Sequence, residues 1–338
     1  MVPVQRILFG AGIEVQTIVL GRLIVGEVVG VALTSHAPTI MMSRDLRFEL
    51  NEGREISLVP GLERMREEKL GPLDADTIVI LDTHWFTTVE HVVTAQESFS
   101  GTFTSSELPR TMTAIRYDYP GDPVLGDAIE AQGAWVDTPI HASHDPFLPV
   151  YYATINLVKY LRTSERVISV SIAQTGEDDD FMRVGQAIGR AIAGVDRRVV
   201  ILASGGMSHR FWALKELPKH EASDPSHVIT VEARAADEQR IQWMKDGDHH
   251  AIVAGMEAYR GHSPEAMFGH FLMMQAAVGG RDCIARGEQL SDYENATGTG
   301  QVHVWFDRPA EGWTGRGEVI DGITNDEAAS HERVGARP

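Results

Sequence analysis

Three histidines share one kind of position, because each follows a short apolar run rich in valine, isoleucine and leucine. They are His36 after EVVGVAL (27–33), His84 after TIVILD (77–82) and His209 after RVVILAS (198–204). An imidazole can bind a transition metal, or transfer a proton near neutral pH. One histidine at such a position is more often structural, but three with the same placement indicate a shared site.

The apolar runs have the length and composition of buried β-strands, and longer stretches between them have helical patterns. Further strands are predicted at 166–173 and 301–306, and helices at 61–70, 121–133, 147–162, 179–193, 226–245 and 264–278. This alternation predicts an α/β fold, with a central, mostly parallel or mixed sheet flanked by helices in a single catalytic domain. If the strands are parallel, the three histidines meet at one edge of the sheet, where open α/β sheets bind ligands.

Other side chains near these runs extend the candidate site. Asp82 lies two residues before His84, where it could support the imidazole. The pair Gly205-Gly206 would let the backbone approach a ligand closely. In the segment IHASHDPFLPVYY, His144 lies just before a predicted helix, as an active-site residue or as a simple helix flank.

The composition excludes several classes of partner and site. The 338 residues are 43% hydrophobic and 23% charged, as in an ordinary globular protein. A net charge of −18 argues against binding to nucleic acid or to an anionic membrane surface. The single cysteine, Cys283, allows no disulfide within the chain and suits a reducing cytoplasm. Any metal would therefore be held mainly by histidine and carboxylate.

The two ends of the chain have weaker patterns than the middle. Residues 1–25 are apolar but interrupted by charges, so we interpret them as an N-terminal extension rather than as a signal peptide or a membrane span. Residues 26–308 are predicted to form the catalytic domain. Residues 309–338 are polar and weakly patterned, which predicts a surface tail.

Several segments together resemble the class III extradiol ring-cleaving dioxygenases, the superfamily of the protocatechuate 4,5-dioxygenase β-subunit. They are TSHAPT, LDTHWF, FSGTFTSSELP, YDYPGDPVLG, ASGGMSHRF and ATGTGQVHVWF, and they occur in this order between about residues 28 and 307. The SGTFTSSELP and TGTGQV segments are most similar to the homoprotocatechuate (3,4-dihydroxyphenylacetate) 2,3-dioxygenase branch.

The resemblance implies a mononuclear non-haem Fe(II) centre held by two histidines and one carboxylate, with Mn(II) as a substitute. On this sequence the metal ligands would be His36, His84 and Glu265, with Glu257 and Glu294 as alternative carboxylates. It also implies that His209 is the acid–base residue.

The resemblance further implies a role for His144 as a second active-site histidine. The segment SHDPFLPV departs there from the family pattern, because Asp145 and Pro146 follow the histidine where the family pattern has a glycine. Trp85 would line the substrate pocket. Arg210, or one of Arg110 and Arg116, could pair with a substrate carboxylate, although an arginine at such a position is more often simply solvated.

These features favour an enzyme that opens a substituted catechol with O₂, the best candidate being 3,4-dihydroxyphenylacetate or a similar carboxylated catechol. The same chemistry on a 2-aminophenol, protocatechuate or gallate-type ring stays open, as does a non-catalytic binding protein of the same fold. A metal-dependent hydrolase is less favoured, since the sequence contains no HExxH motif. The family resemblance also implies a homo-oligomer.

Overall fold

An eight-stranded mixed sheet runs through the computed structural model of the chain, which describes residues 26–315. Two two-stranded antiparallel hairpins, within residues 98–120 and 294–301, form separate sheets. The strands are β1 (Glu27–Thr34), β2 (Thr77–Thr87), β3 (His91–Thr94), β4 (Ser98–Phe103), β5 (Ile115–Pro120), β6 (Ile140–Ser143), β7 (Arg166–Ala173), β8 (Arg198–Ser204), β9 (Gly287–Gln289), β10 (Glu294–Ala296), β11 (Thr299–Gln301) and β12 (His303–Asp307).

Helices cover both faces of the sheet. The α-helices are α1 (Arg44–Leu50), α2 (Leu58–Arg64), α3 (Pro123–Val136), α4 (Tyr152–Leu161), α5 (Asp178–Ala193), α6 (Val231–Asp246), α7 (His249–Ala254), α8 (Met256–Arg260) and α9 (Gly269–Ala277). Short 3₁₀ or π turns lie at Pro38–Met41, Met65–Leu70, Gly71–Leu73, Leu217–Lys219, Pro225–His227, Glu265–Phe268 and Gly280–Asp282. No helix within residues 26–315 is long and apolar enough to cross a membrane.

The strand order is β6-β3-β7-β2-β8-β1-β12-β9. The four central strands β7, β2, β8 and β1 run parallel, while β12 pairs antiparallel with β1 and β3 antiparallel with β7. The α/β fold with a mixed central sheet that the sequence predicts is therefore confirmed. The carboxyl ends of β1 and β8 lie level with Asp82 in the middle of β2, because Ser204 pairs with Thr34 on one side and with Asp82 on the other.

Alternate side chains of the central strands enter two separate apolar layers, as expected for strands buried on both faces. Val79 and Leu81 of β2 pack in the layer formed with α3, α5 and α9. Ile78 and Ile80 pack in the opposite layer, with α2 and α4. These two layers fix the sheet rigidly beneath its carboxyl edge.

The structure corrects the predicted elements at two places that matter for the site. Strand β2 continues to Thr87, so that His84 lies within it, and its pairing with β7 loses register between Leu81 and Phe86. The helix predicted at 264–278 begins instead with the turn Glu265–Phe268, which contains backbone with positive φ, and becomes α-helical only at Gly269.

Residues 1–25 and 316–338, which carry the predicted extension and most of the predicted tail, lie outside the described part of the chain. The first residues of that tail contact the domain. The indole nitrogen of Trp313 donates a hydrogen bond to the carbonyl of Val28 at 2.9 Å, and Ile284 N–H donates to the carbonyl of Trp313.

Candidate metal centre

Three side chains from distant parts of the sequence meet at the carboxyl edge of the sheet. His36, His84 and Glu265 each offer one ligand atom, and these atoms all lie within 4.8 Å of one another. Oε1 of Glu265 is 3.5 Å from Nε2 of His36 and 3.7 Å from Nε2 of His84. Two imidazole nitrogens and one carboxylate oxygen are the donor set of a mononuclear non-haem iron centre.

His36 is held by the neighbouring strand β8. It follows β1 directly, and its Nδ1 is hydrogen-bonded to the hydroxyl of Ser204 at 2.9 Å. Its carbonyl accepts a hydrogen bond from the amide of Asn156. Burial is the main cause that lowers the pKa of His36 to about 3, so the imidazole is neutral. When Nδ1–H donates to Ser204, the lone pair of Nε2 is free for a metal.

Asp82 joins the strand that carries His84 to the start of helix α4. One carboxylate oxygen accepts the backbone N–H of His84 at 2.9 Å, and the other accepts the backbone N–H and the hydroxyl of Thr154. Asp82 therefore supports His84 as expected, but it does so by a hydrogen bond to the backbone N–H and not to the imidazole ring. The same connection brings Tyr152 to the site, where its hydroxyl is hydrogen-bonded to Nε2 of His84.

The second ring nitrogen of His84 faces a carboxylate from the loop between β4 and β5. Its Nδ1 lies 3.6 Å from Oε1 of Glu107, whose side chain is 58% exposed. Burial alone would lower the pKa of His84, but the carboxylates of Glu107, Glu265 and Asp82 raise it above its ordinary value. A metal at Nε2 would therefore have to displace a proton that these acids stabilise.

Both oxygens of Glu265 are fixed by hydrogen-bond donors. Oε1 accepts the hydroxyl of Thr83, and Oε2 accepts the backbone N–H of Gly206 at 2.5 Å. Burial by itself would raise the pKa of Glu265, but His209, His36 and His84 together hold it well below its usual range. The carboxylate is thus ionised and oriented, as a metal ligand must be.

His209 lies near the other oxygen of the same carboxylate, Oε2, whereas His36 and His84 lie near Oε1. Its Nε2 lies 3.5 Å from Oε2 of Glu265, and its backbone N–H donates to the carbonyl of Ser263 at 3.0 Å. The ring packs edge-on against Phe211, and 22% of the side chain is exposed. An imidazole next to the ligand set, and open to solvent, is suitably placed for proton transfer.

His144 is not brought to this cluster. Its side chain is exposed, and its Nε2 pairs with Asp127 of helix α3 at 2.7 Å. The physical reason lies in the topology, because His144 follows β6, which runs parallel to β3 and hence antiparallel to the central strands. The carboxyl end of β6 is therefore at the opposite edge of the sheet.

The remaining candidates lie around the site in different ways. Trp85 is buried and stacks on Tyr151 with 5.8 Å between ring centroids. The guanidinium of Arg210 is exposed and donates to the carbonyl of Gly261 and the hydroxyl of Ser263. Of the alternative carboxylates, Glu257 is exposed on α8, whereas Glu294 is buried and accepts the N–H of Ser57. Neither belongs to the cluster of potential ligands within residues 26–315.

Reasoning from the sequence missed several residues that contact the proposed ligands: Thr83, Glu107, Tyr152 and Ser204. Some had a signal, since Glu107 lies in the SGTFTSSELP segment and Tyr152 ends the IHASHDPFLPVYY segment. Hydroxyl groups beside a histidine give no such signal, because serine and threonine are common at strand ends.

The chain is similar to known proteins in sequence and in fold. Residues 30–307 match the family described as the catalytic LigB subunit of aromatic ring-opening dioxygenase. The chain is 28% identical over 229 residues to the 3,4-dihydroxyphenylacetate 2,3-dioxygenase of Escherichia coli, covering 66% of this chain and 79% of that protein. A crystal structure of an uncharacterized Escherichia coli protein has a similar fold, with a TM-score of 0.54 at 13% identity, covering 82% of this chain and 99% of that one.

Proposed function

Since the chain belongs to the LigB family and is an aromatic ring-cleaving dioxygenase, we propose that it cleaves a substituted catechol beside its two hydroxyl groups, using Fe(II) held by His36, His84 and Glu265. The observation that carries the proposal is the convergence of these three side chains, with His209 beside the second oxygen of Glu265. Family membership also argues against the non-catalytic binding protein that the sequence left open.

When bound at these residues, the metal would act as a Lewis acid for the catechol oxygens. It would also allow electron density to pass from the ring to O₂. The side chains of the protein would bind the metal and set its charge. His36 and His84 bind as neutral imidazoles, and Glu265 contributes one negative charge. A ferrous ion keeps a net positive charge with this donor set, which favours loss of a proton from the catechol.

His209 would transfer protons in both directions. It accepts a proton from a catechol hydroxyl, and it returns a proton to oxygen when the O–O bond breaks. Both oxygen atoms of O₂ then enter the product, which is a ring-opened semialdehyde. The partial exposure of His209 allows it to exchange protons with solvent between turnovers.

We propose a carboxylated catechol, with 3,4-dihydroxyphenylacetate as the first candidate. The Escherichia coli relative is named for that substrate, and Arg210 lies next to His209 with an exposed guanidinium that could bind a carboxylate. Protocatechuate, a 2-aminophenol or a gallate-type ring is the alternative. Residues 26–308 would form the catalytic domain, and we expect a homo-oligomer, which light scattering would test.

The direct experiment is to purify the protein without oxygen, measure bound iron, and add each ring substrate together with O₂. We expect oxygen consumption and a yellow product with 3,4-dihydroxyphenylacetate, and slower turnover with catechol and 2-aminophenol. Reconstitution with Mn(II) in parallel would identify the metal that supports turnover. No oxygen uptake with any of these rings after Fe(II) reconstitution would refute the proposal.

A further inference from the structure

Asp237 of helix α6 is a fully buried carboxylate. It is neither one of the three proposed metal ligands nor the proposed proton-transfer residue. It accepts hydrogen bonds from the backbone N–H of Ser208 at 3.1 Å and from its hydroxyl at 2.7 Å. The hydroxyl groups of Tyr259 and Tyr293 also donate to it, at 2.7 and 2.6 Å. Four donors from three segments therefore converge on one side chain.

Each group that contacts this carboxylate is a neutral donor. The nearby guanidinium of Arg240 donates instead to the carbonyls of Ala236 and Gly255, and it packs over the ring of Tyr259. A carboxylate accepts at both oxygens, whereas an amide of the same shape has to donate at one of them. An asparagine could satisfy only part of this arrangement, so the contacts select an aspartate.

Ser208, which Asp237 holds, is connected through the backbone to both His209 and Glu265. His209 follows it directly and bonds through its N–H to Ser263. Met207 precedes it and accepts the backbone N–H of Glu265 at 2.9 Å. Ser208 itself forms an isolated bridge with Pro264. A shift of Ser208 would therefore change the separation of His209 from Glu265.

Gly300 of strand β11 leaves room for the carboxylate of Asp237 because it has no side chain. Gly300 donates its N–H to the carbonyl of Ser208 and accepts the N–H of Met207. A Cβ atom at Gly300 would lie 2.2 Å from Oδ2 of Asp237 and 2.5 Å from the hydroxyl of Tyr293. The second glycine of the TGTGQ segment is thus required by the space that Asp237 occupies.

We propose that Asp237 is a positioning residue for catalysis, which acts through Ser208 to set the distance between His209 and Glu265. The inference rests on the proposed roles of those two residues. Removal of the carboxylate should misplace both the proton-transfer imidazole and the metal-binding carboxylate, without removing either.

The test compares Asp237→Asn with Asp122→Asn. Asp122 is an equally buried carboxylate that accepts hydrogen bonds from Thr77, Leu125 and Arg197. Thr77 begins β2, so this control lies at the edge of the sheet opposite the site. Both variants should lower the melting temperature. Only Asp237→Asn should lower kcat per bound iron, by ~10- to 100-fold, and shift the pH profile of kcat.

Cobalt(II) affinity gives a readout that does not depend on turnover. Co(II) would bind the same three side chains, so its affinity should fall in Asp237→Asn, where Glu265 is misplaced, and stay unchanged in Asp122→Asn. If the wild-type protein cleaved no catechol, the proposed reaction would fail while this measurement still tested the positioning role. Unchanged cobalt affinity and unchanged kcat in Asp237→Asn would overturn the inference.

Tyr293→Phe keeps the inference testable if Asp237→Asn does not fold. It removes one of the four donors and leaves the carboxylate in place. We expect a smaller loss of kcat, roughly 3- to 10-fold on the scale of one lost hydrogen bond, with cobalt affinity lowered in the same direction. A Tyr293→Phe protein that is less stable but fully active and binds cobalt normally would contradict the proposal.

Discussion

His209 and Glu265 face each other at 3.5 Å, between Nε2 of the imidazole and Oε2 of the carboxylate. The other oxygen of Glu265 points towards His36 and His84. One oxygen of this carboxylate therefore lies near the two proposed metal ligands, and the other lies near the proposed proton carrier. In the proposed reaction, metal binding and proton transfer would be coupled through this single side chain.

The identity of the carboxylate ligand can be tested with two glutamine variants. We expect Glu265→Gln to lower Fe(II) affinity by about 100-fold or more, beyond the typical cost of losing an outer hydrogen-bond partner. Glu294→Gln is the matched control, because Glu294 is also buried but bonds to Ser57. Iron content after anaerobic dialysis measures the difference. Iron retained by Glu265→Gln and lost by Glu294→Gln would reverse the assignment.

His209→Ala should separate binding from chemistry. The variant keeps all three proposed ligands, so we expect normal iron content, with turnover reduced by ~10²- to 10⁴-fold, the usual contribution of a general acid–base residue. His144→Ala is the comparison, since His144 is exposed and paired with Asp127. Oxygen-electrode rates per bound iron decide between them. Near-normal turnover in His209→Ala, or a large loss in His144→Ala, would show that the catalytic histidine is the other one.

The sequence can predict which side chains meet where a histidine accompanies a recognisable strand of the parallel sheet. The sequence predicts that His36 and His84 lie close together, because each accompanies an apolar strand and parallel strands bring such positions to one edge of the sheet. Only the family resemblance points to Glu265. Its turn has positive φ at three consecutive residues after the glutamate, and this conformation has no periodic pattern to recognise.

Long-range contacts account for what the sequence could not predict. Asp237 looks like one more polar position on an exposed helix, since its partners Ser208 and Tyr293 are 29 and 56 residues away. The position of His144 depends on whether β6 runs with or against the central strands, and the sequence of a four-residue strand does not encode its direction.

Arg210 offers a test of the proposed carboxylate on the substrate. We expect Arg210→Ala to raise KM for 3,4-dihydroxyphenylacetate about 10- to 100-fold, the range of a lost charge-assisted hydrogen bond, and to leave KM for 4-methylcatechol unchanged. Arg116→Ala is the control, since Arg116 lies on strand β5 opposite Thr102. Steady-state rates with both catechols give the comparison. Equal effects on the two substrates would mean that Arg210 supports the fold and does not bind the carboxylate.

The buried carboxyl of Glu294 should make the stability of the protein depend on pH, independently of the proposed metal site. Burial is the main cause that raises the pKa of this carboxyl from 4.5 to about 7 in the folded protein. Between these two values the folded state binds more protons than the unfolded state, so the contribution of Glu294 to stability is lost as the pH rises. The loss is complete above pH 7 and amounts to about 3 kcal/mol at most.

Glu294→Gln should remove this dependence, because an amide stays neutral and its oxygen can still accept the N–H of Ser57. We expect the variant to match the wild-type protein in urea unfolding near pH 4.5 and to be more stable at pH 8. The difference in unfolding free energy should grow through the interval from pH 4.5 to 7 and then level off. A difference that is constant across this range would mean that Glu294 has the same pKa in the folded and unfolded states.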